Sequence, residues 1–450
     1  MKKFDLLIKG GQVVLESGIQ KVNIAIKSEK IAGIFSPDIS IDSEELVNLD
    51  NEIVLPGVID THAHVTNRED FKYGTLTASK GGVTTIIEMP LSTNLPNLTN
   101  VDAFDERVKA GEAEAYTDFA LWAGVLPQDM NKIVKLYQLG CTSFKIFMNF
   151  AQDDYPFYDD YHLLKLMEEV SKINGLIGIH AENESICKNL TNIYKGENRG
   201  PEYHTKSRPP IAELEAINRA VFFAKETGCR VHICHVSIPE GVELIEKARQ
   251  EGANITIETC PHYLYLDEND IERCGGFAKC NPPLRDRKRV ERLWKYVSMG
   301  FIDTIGSDHC AYQEKEKDVN IWDAPGGFPG MDLILPILIS EGVNKRDIGW
   351  NRIAEITSTN ASKTFGLYPR KGSIRIGSDA DFAIVDPECE WTFLAKDTYY
   401  KNKSSKYPCV GKTFKGKVRM TIVRGNIVYK DGNVLAEPGY GSYIAAIHNK

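Results

Sequence analysis

No run of about 18 apolar residues occurs in this 450-residue chain, so no segment is expected to span a membrane. The opening stretch, Met1-Lys-Lys-Phe-Asp-Leu-Leu-Ile-Lys-Gly-Gly, has no apolar region of secretory length and reads as a strand followed by a turn. Ten cysteines are present, yet there is no CxxC pair and no spacing of the kind that staples a small scaffold. Several, such as Cys234 and Cys260, sit inside apolar runs, which predicts reduced, buried thiols in a cytoplasmic protein. Uninterrupted basic clusters are missing too: Arg285-Asp-Arg-Lys-Arg289 is broken by an acid, and the net charge is −8, so a nucleic-acid partner is not expected. Repeats and low-complexity segments are absent. What remains is 42% hydrophobic and 26% charged, ordinary for a soluble globular chain long enough for a large core plus a smaller domain.

Both ends have the texture of β-hairpins. Residues 4 to about 53 alternate apolar and polar positions in Phe4-Asp-Leu-Leu-Ile-Lys and in Val22-Asn-Ile-Ala-Ile-Lys, each followed by a turn-forming pair. The pattern returns after about residue 370, in Ala380-Asp-Phe-Ala-Ile-Val and Met420-Thr-Ile-Val-Arg-Gly-Asn-Ile-Val-Tyr. The two ends, 1–53 and 370–450, are therefore expected to form one small antiparallel β-sandwich domain. Between them, 54–369 alternates short apolar runs with helical periodicity, the mark of βα units around a parallel sheet buried on both faces. Eight strands are expected: Ile53–His62, Val83–Met89, Phe119–Val125, Thr142–Met148, Leu176–His180, Arg230–Val236, Ile255–Cys260 and Ile302–Asp308. The fold class is α/β, a (β/α)8 TIM barrel. From Cys310 to about Asp347 little pattern is visible, and a long loop over the barrel mouth is expected.

Five of these runs end in a residue suited to a divalent metal: His62 with His64, Lys145, His180, His235 and Asp308. Side chains so far apart in sequence converge only if the fold aligns the C-terminal ends of its strands, as a barrel does. His62 and His64 are two apart on a strand and share one face. A lone histidine closing a strand is ordinarily a core residue bonded to a carbonyl, but four in register make that reading poor. Asp308 would be a costly buried charge unless paired or metal-bound, and it is the best general base. An ammonium cannot be a ligand, so Lys145 is the odd member. Four neutral imidazoles and one aspartate supply one negative charge against the four positive charges of two dications. If CO2 carboxylates the Lys145 amine, it becomes a bridging carboxylate and narrows that gap; the alternative is an ordinary lysine reaching out of the fourth strand. These features imply a metal-dependent hydrolase.

The motifs Gly57-Val-Ile-Asp-Thr-His-Ala-His64, Gly82-Val-Thr-Thr-Ile-Ile-Glu-Met-Pro90, Phe144-Lys-Ile-Phe147, His180-Ala-Glu-Asn183, His235-Val-Ser-Ile-Pro-Glu-Gly241, Lys279-Cys-Asn-Pro-Pro-Leu-Arg285 and Ser307-Asp-His309 resemble the cyclic amidohydrolases of the amidohydrolase superfamily. The resemblance covers nearly the whole chain. It implies that His62, His64 and Asp308 hold one metal, that His180 and His235 hold the other, and that an N6-carboxylated Lys145 bridges them, with zinc the usual ion. It further implies opening of a small cyclic ureide or amide at a C–N bond, Asp308 carrying the proton to the departing nitrogen, in a homotetramer.

Within the family, the allantoinase branch is most similar, through Ile87-Glu-Met-Pro-Leu, His232-Ile-Cys-His-Val-Ser and Glu258-Thr-Cys-Pro-His-Tyr-Leu264. The branch's Glu-Pro-Gly-Arg after the second histidine is missing, however, and Val65-Thr-Asn-Arg-Glu-Asp-Phe stands there. Thr66 occupies the position of a carboxylate-gripping arginine in dihydroorotases, which demotes that activity. Phe150 stands where hydantoinases carry an oxyanion-stabilising tyrosine, and it cannot donate a hydrogen bond. Phe147-Met and Asp308-His-Cys310 nevertheless resemble hydantoinases. Allantoin is thus the first expected substrate, with 5-substituted hydantoins or dihydropyrimidines as the alternative. A scaffold protein that has lost its metal is the remaining one, disfavoured because all six ligand positions are filled.

Phe150, Asn281 and Pro329 are expected to contact the substrate, the last through its carbonyl alone because proline lacks an N–H. His262 is open between the site and the core, His309 reads as structural, and His162 and His448 as solvated.

Overall fold

The computed structural model describes residues 3–448. Eight parallel barrel strands follow in chain order: β1 (Val58–Ala63), β2 (Val83–Glu88), β3 (Asp118–Leu121, continued by Ala123–Gly124), β4 (Phe144–Phe147), β5 (Leu176–His180), β6 (Arg230–Ile233), β7 (Ile255–Thr259) and β8 (Thr304–Ile305). Trp122 keeps β3 attached to its neighbour by donating its N–H to the Glu88 carbonyl at 2.9 Å. The ring closes between β8 and β1, where His64 N donates to His309 O and Asp308 N to His62 O, both at 2.9 Å. Every residue of β1 and β2 is buried, the polar Asp60, Thr61, His62, Thr84, Thr85 and Glu88 included, so neither strand shows the alternation of a half-exposed sheet. Helices pack outside. Pro239 opens the helix Pro239–Gln250 at its first position, and Asp286 caps Arg287–Met299 by accepting from Arg289 N at 3.1 Å.

The chain termini build one nine-stranded sheet. Ser43–Pro56 lies at its centre, parallel to Phe4–Leu15 and antiparallel to Phe382–Thr392, so the unit is not wholly antiparallel as expected. Leu6, Ile8, Ile24, Val54, Phe382 and Ile422 form its core. A buried ammonium ties it to the base of the barrel: Lys371 Nζ lies 2.5 Å from Asp118, 2.7 Å from Asp381 and 3.0 Å from Asp379. These three carboxylates sit close enough together to hold a metal ion, but Lys371 already stands among them, with Arg424 on Asp118 and Lys30 and Arg370 on Asp379.

Two expectations change. Ile53–Pro56 belongs to the terminal sheet, and β1 begins only at Val58. The break falls at Gly57, where a Cβ would sit 2.2 Å from Thr84 Oγ1, so only glycine lets the chain step from one sheet to the other. In the stretch expected to be one long loop, only Cys310–Gly330 is mainly loop, with the short helix Glu314–Lys317. From Met331 to Arg346 the chain is a succession of 3-10, α and π turns. Met331, Leu333, Ile334, Leu335, Ile337, Leu338 and Ile339 are all buried. A helix that is apolar all round has no polar face to reveal its period in the sequence.

Candidate active site

The six ligand candidates reach the barrel mouth on five strands. His62 closes β1 with His64 two residues on, Lys145 lies in β4 and His180 ends β5. His235 and Asp308 lie just beyond β6 and β8, not within them, and both adopt left-handed backbone, at φ 40° and 51°. For residues other than glycine this is a strained conformation, of the kind held in place at functional sites. The turn turns both side chains into the barrel. All six then line one cavity of about 260 Å³.

The imidazoles form a chain, with ring centroids 5.3 Å apart for His62 and His64, 5.2 Å for His62 and His235, and 4.6 Å for His180 and His235. Asp308 Oδ1 lies 3.4 Å from Nε2 of His62 and 3.4 Å from Nε2 of His64. Metal–ligand bonds of about 2.0–2.1 Å in a tetrahedron put neighbouring donors about 3.3 Å apart, so this trio is spaced to share one ion. Burial pushes His62 down to about 4 and His235 well below the usual imidazole range, and it lowers His180 as well. Neutral rings with a free nitrogen are what a metal requires. Burial alone would raise Asp308, but His64 and His62 outweigh it and hold the carboxyl below its usual range.

Lys145 supplies the second test of fit. Its Nζ is buried and has no hydrogen-bond partner among the described residues. His235 Nδ1 and His64 Nδ1 are buried without partners too. A bare ammonium left in this position carries the full cost of desolvation, whereas a carbamate bridging two cations does not. The donor set therefore fits a pair of divalent ions with a carboxylated lysine between them. A second cluster, His62, Cys234 and Glu258, does not. Both Glu258 oxygens are already engaged, by His62 Nδ1, His235 N and Thr61 Oγ1.

Around the six stand carboxylates that the sequence reading did not assign. Glu258 in β7 accepts from His62 Nδ1 at 2.8 Å, from His235 N at 3.1 Å and from Thr61 Oγ1 at 2.6 Å. It fixes the tautomer that leaves Nε2 of His62 facing Asp308. Gly306 permits this approach, since a Cβ there would lie 2.5 Å from Glu258 Oε2. Glu182 accepts from His180 Nε2 at 2.8 Å and pairs with Arg208, which with His180 overcomes burial and brings the carboxyl down to about 2. Asp60 accepts from Ser307 N at 2.9 Å and Ser307 Oγ at 2.5 Å, joining β1 to the segment after β8. The available signal was a carboxylate inside a β-branched strand, as in Ile255-Thr-Ile-Glu-Thr.

The other expected contacts divide. Phe150 lies at the mouth, half exposed, and Asn281 lines the cavity with its buried Oδ1 unpartnered. Pro329 is buried behind the wall and does not line the cavity; Pro325, Gly326 and Gly327 do. The loop turns back earlier than expected because Lys317, buried beneath it, donates to the carbonyls of Pro325 and Gly327 at 2.8 and 2.7 Å. His262 is buried beside Phe328, with ring centroids 5.1 Å apart, and does not line the cavity. His309 is structural, bonded to Glu69 at 2.9 Å. His162 pairs with Asp159 on the surface. His448 is not solvated as expected but stacks on Tyr137 at 3.6 Å between centroids.

The amidohydrolase family model matches residues 53–428, most of the chain. This protein belongs to the amidohydrolase family. Among curated relatives, this amidohydrolase is 37% identical to an allantoinase of Rubrobacter xylanophilus, over 97% of each chain. It is also 37% identical to an allantoinase of Bacillus licheniformis, over 98% of this chain and 99% of the relative. Among solved structures, the L-hydantoinase (dihydropyrimidinase) of Arthrobacter aurescens superposes with a TM-score of 0.94 at 33% identity, covering 98% of this chain and all of the other. The protein is thus an enzyme with the barrel and added β domain of these hydrolases. Among the described residues no helix is long and apolar enough to cross a membrane.

Proposed function

We propose that this amidohydrolase opens the ring of allantoin by hydrolysing a cyclic amide C–N bond, giving allantoate. The observation that carries the reading is the meeting of His62, His64, Lys145, His180, His235 and Asp308 at one cavity. Full-length identity to allantoinases supports the choice of ring. His62, His64 and Asp308 would hold one divalent ion, His180 and His235 the other, with N6-carboxylated Lys145 between them and zinc the expected metal. Such a pair, when bound, makes water a nucleophile near neutral pH and polarises the scissile carbonyl.

The chain's own part follows from its geometry. Asp308 is ionised, and with Oδ1 turned to both histidines, Oδ2 takes the proton of the attacking water and returns it to the departing ring nitrogen. Asn281, its Oδ1 unsatisfied, orients the ring from the cavity wall. Leu91, Phe147 and Phe150 keep bulk water from the reacting centre. The barrel, which begins at Val58 and runs to about residue 369, carries this chemistry, and the domain formed by the segments up to Pro56 and from about residue 370 braces it through Lys371.

A hydantoinase or dihydropyrimidinase activity is the second reading, favoured by the fold match and by Phe147 and Cys310 on the cavity wall. The ten free cysteines suit a reducing cytoplasm, where the reaction would serve purine catabolism, and a homotetramer is the proposed assembly. Incubating the zinc-loaded enzyme with allantoin, hydantoin, 5-substituted hydantoins, dihydrouracil and dihydroorotate, and following ring opening, tests the choice. Turnover of dihydrouracil without turnover of allantoin would reverse it.

A further inference from the structure

Allantoin differs from hydantoin by one exocyclic ureido group, –NH–CO–NH2, and a site selective for it must offer that group both an acceptor and a donor. Asn67 and Tyr312 stand together on the cavity wall, three residues after His64 and four after Asp308, on the side of the cavity from which those two reach the centre. Asn67 Nδ2 donates to the Tyr312 hydroxyl and to Cys310 Sγ, both at 3.4 Å. That leaves Asn67 Oδ1 without a donor among the described residues. The Tyr312 hydroxyl, already accepting from Asn67, has its own proton facing no oxygen or nitrogen acceptor, and the neighbouring Cys310 sulfur is a weak one. Burial raises the phenol well above its usual range, so the hydroxyl keeps that proton.

The pair is also held in place. Tyr407 donates to the Tyr312 carbonyl at 2.9 Å, and the ring lies between Arg68 at 5.7 Å and Lys317 Nζ at 5.5 Å. Gly327 lies beside the ring, a Cβ there standing 3.5 Å from Tyr312 Cε2. One free acceptor beside one donor, both preorganised, is complementary to a urea; hydantoin has only the urea within its ring, which sits at the reacting centre, so a second urea outside the ring is what the pair can recognise.

We propose that Asn67 and Tyr312 form a specificity-determining clamp for the exocyclic ureido group, with Tyr312 Oη–H donating to its carbonyl and Asn67 Oδ1 accepting from its N–H. The assignment rests on allantoin being the substrate. A neutral hydrogen bond lost from such a contact costs about tenfold in kcat/KM.

The test compares allantoin with hydantoin in the zinc-loaded enzyme and in Tyr312→Phe, which removes one oxygen atom, with Asn67→Ala as the second variant. The expected result is a loss of about tenfold or more in kcat/KM on allantoin in each variant, mainly through KM, with hydantoin turnover within about twofold of the parent. Metal content and thermal midpoint serve as controls for folding. If the parent opens allantoin and both variants lose activity equally on the two rings, or lose none, the clamp is wrong while the proposed activity stands. Should the parent fail to open allantoin at all, the proposed activity falls and the clamp with it.

Discussion

Replacing Glu258 by glutamine removes one buried charge and almost nothing else. Glu258 Oε1 receives His62 Nδ1 at 2.8 Å and His235 N at 3.1 Å, and both bonds survive on the amide oxygen of glutamine. At the other oxygen, Thr61 Oγ1, now 2.6 Å away and donating, can rotate to accept from the new NH2. The fold is therefore expected to hold. What is lost is the anion behind His62, which makes Nε2 a stronger donor to a metal. Removing such a partner typically weakens metal affinity 10–100-fold, or about 1.4–2.8 kcal/mol at 1.4 kcal/mol per tenfold. Titrating metal-free parent and Glu258→Gln with zinc against a chromophoric chelator at fixed pH measures this directly. An affinity within twofold of the parent, in a variant of unchanged thermal midpoint, would refute the role given to Glu258.

Two further outcomes follow from the same geometry. Lys145→Ala is expected to abolish ring opening, and short carboxylic acids added to that variant are expected to restore part of it, whereas full activity without added acid would exclude the bridge. In the metal-free protein, His62 is held down to about 4 by burial, from a usual 6.5. On acidification the unfolded chain takes up this proton near 6.5 and the folded one only near 4. The contribution is thus complete above 6.5 and is lost as pH falls to 4, amounting to about 3 kcal/mol. A denaturant midpoint that stays flat over that interval would contradict it.

The barrel and its six convergent side chains were legible because apolar strands buried on both faces leave runs in the sequence, and because a histidine or aspartate ending such a run stands out. The left-handed backbone of His235 and Asp308 left no trace, since neither position carries the glycine that usually announces it. Glu258, Glu182 and Asp60 went unassigned because a carboxylate shows its purpose only through the group it faces, 196 positions away in the case of His62 and Glu258. The turns from Met331 to Gly342 were missed for the opposite reason: burial on every side erases the helical period. Asn67 and Tyr312 lie in loops where no periodicity constrains a reading, and only their meeting on the cavity wall gives them meaning.

Anomalous diffraction at the zinc edge from crystals of the loaded enzyme tests the central claim most directly. Two peaks are predicted, one among His62, His64 and Asp308 and the other beside His180 and His235, with continuous density for a carbamate on Lys145 between them. An unmodified Lys145 amine and no peak at either position would contradict the account.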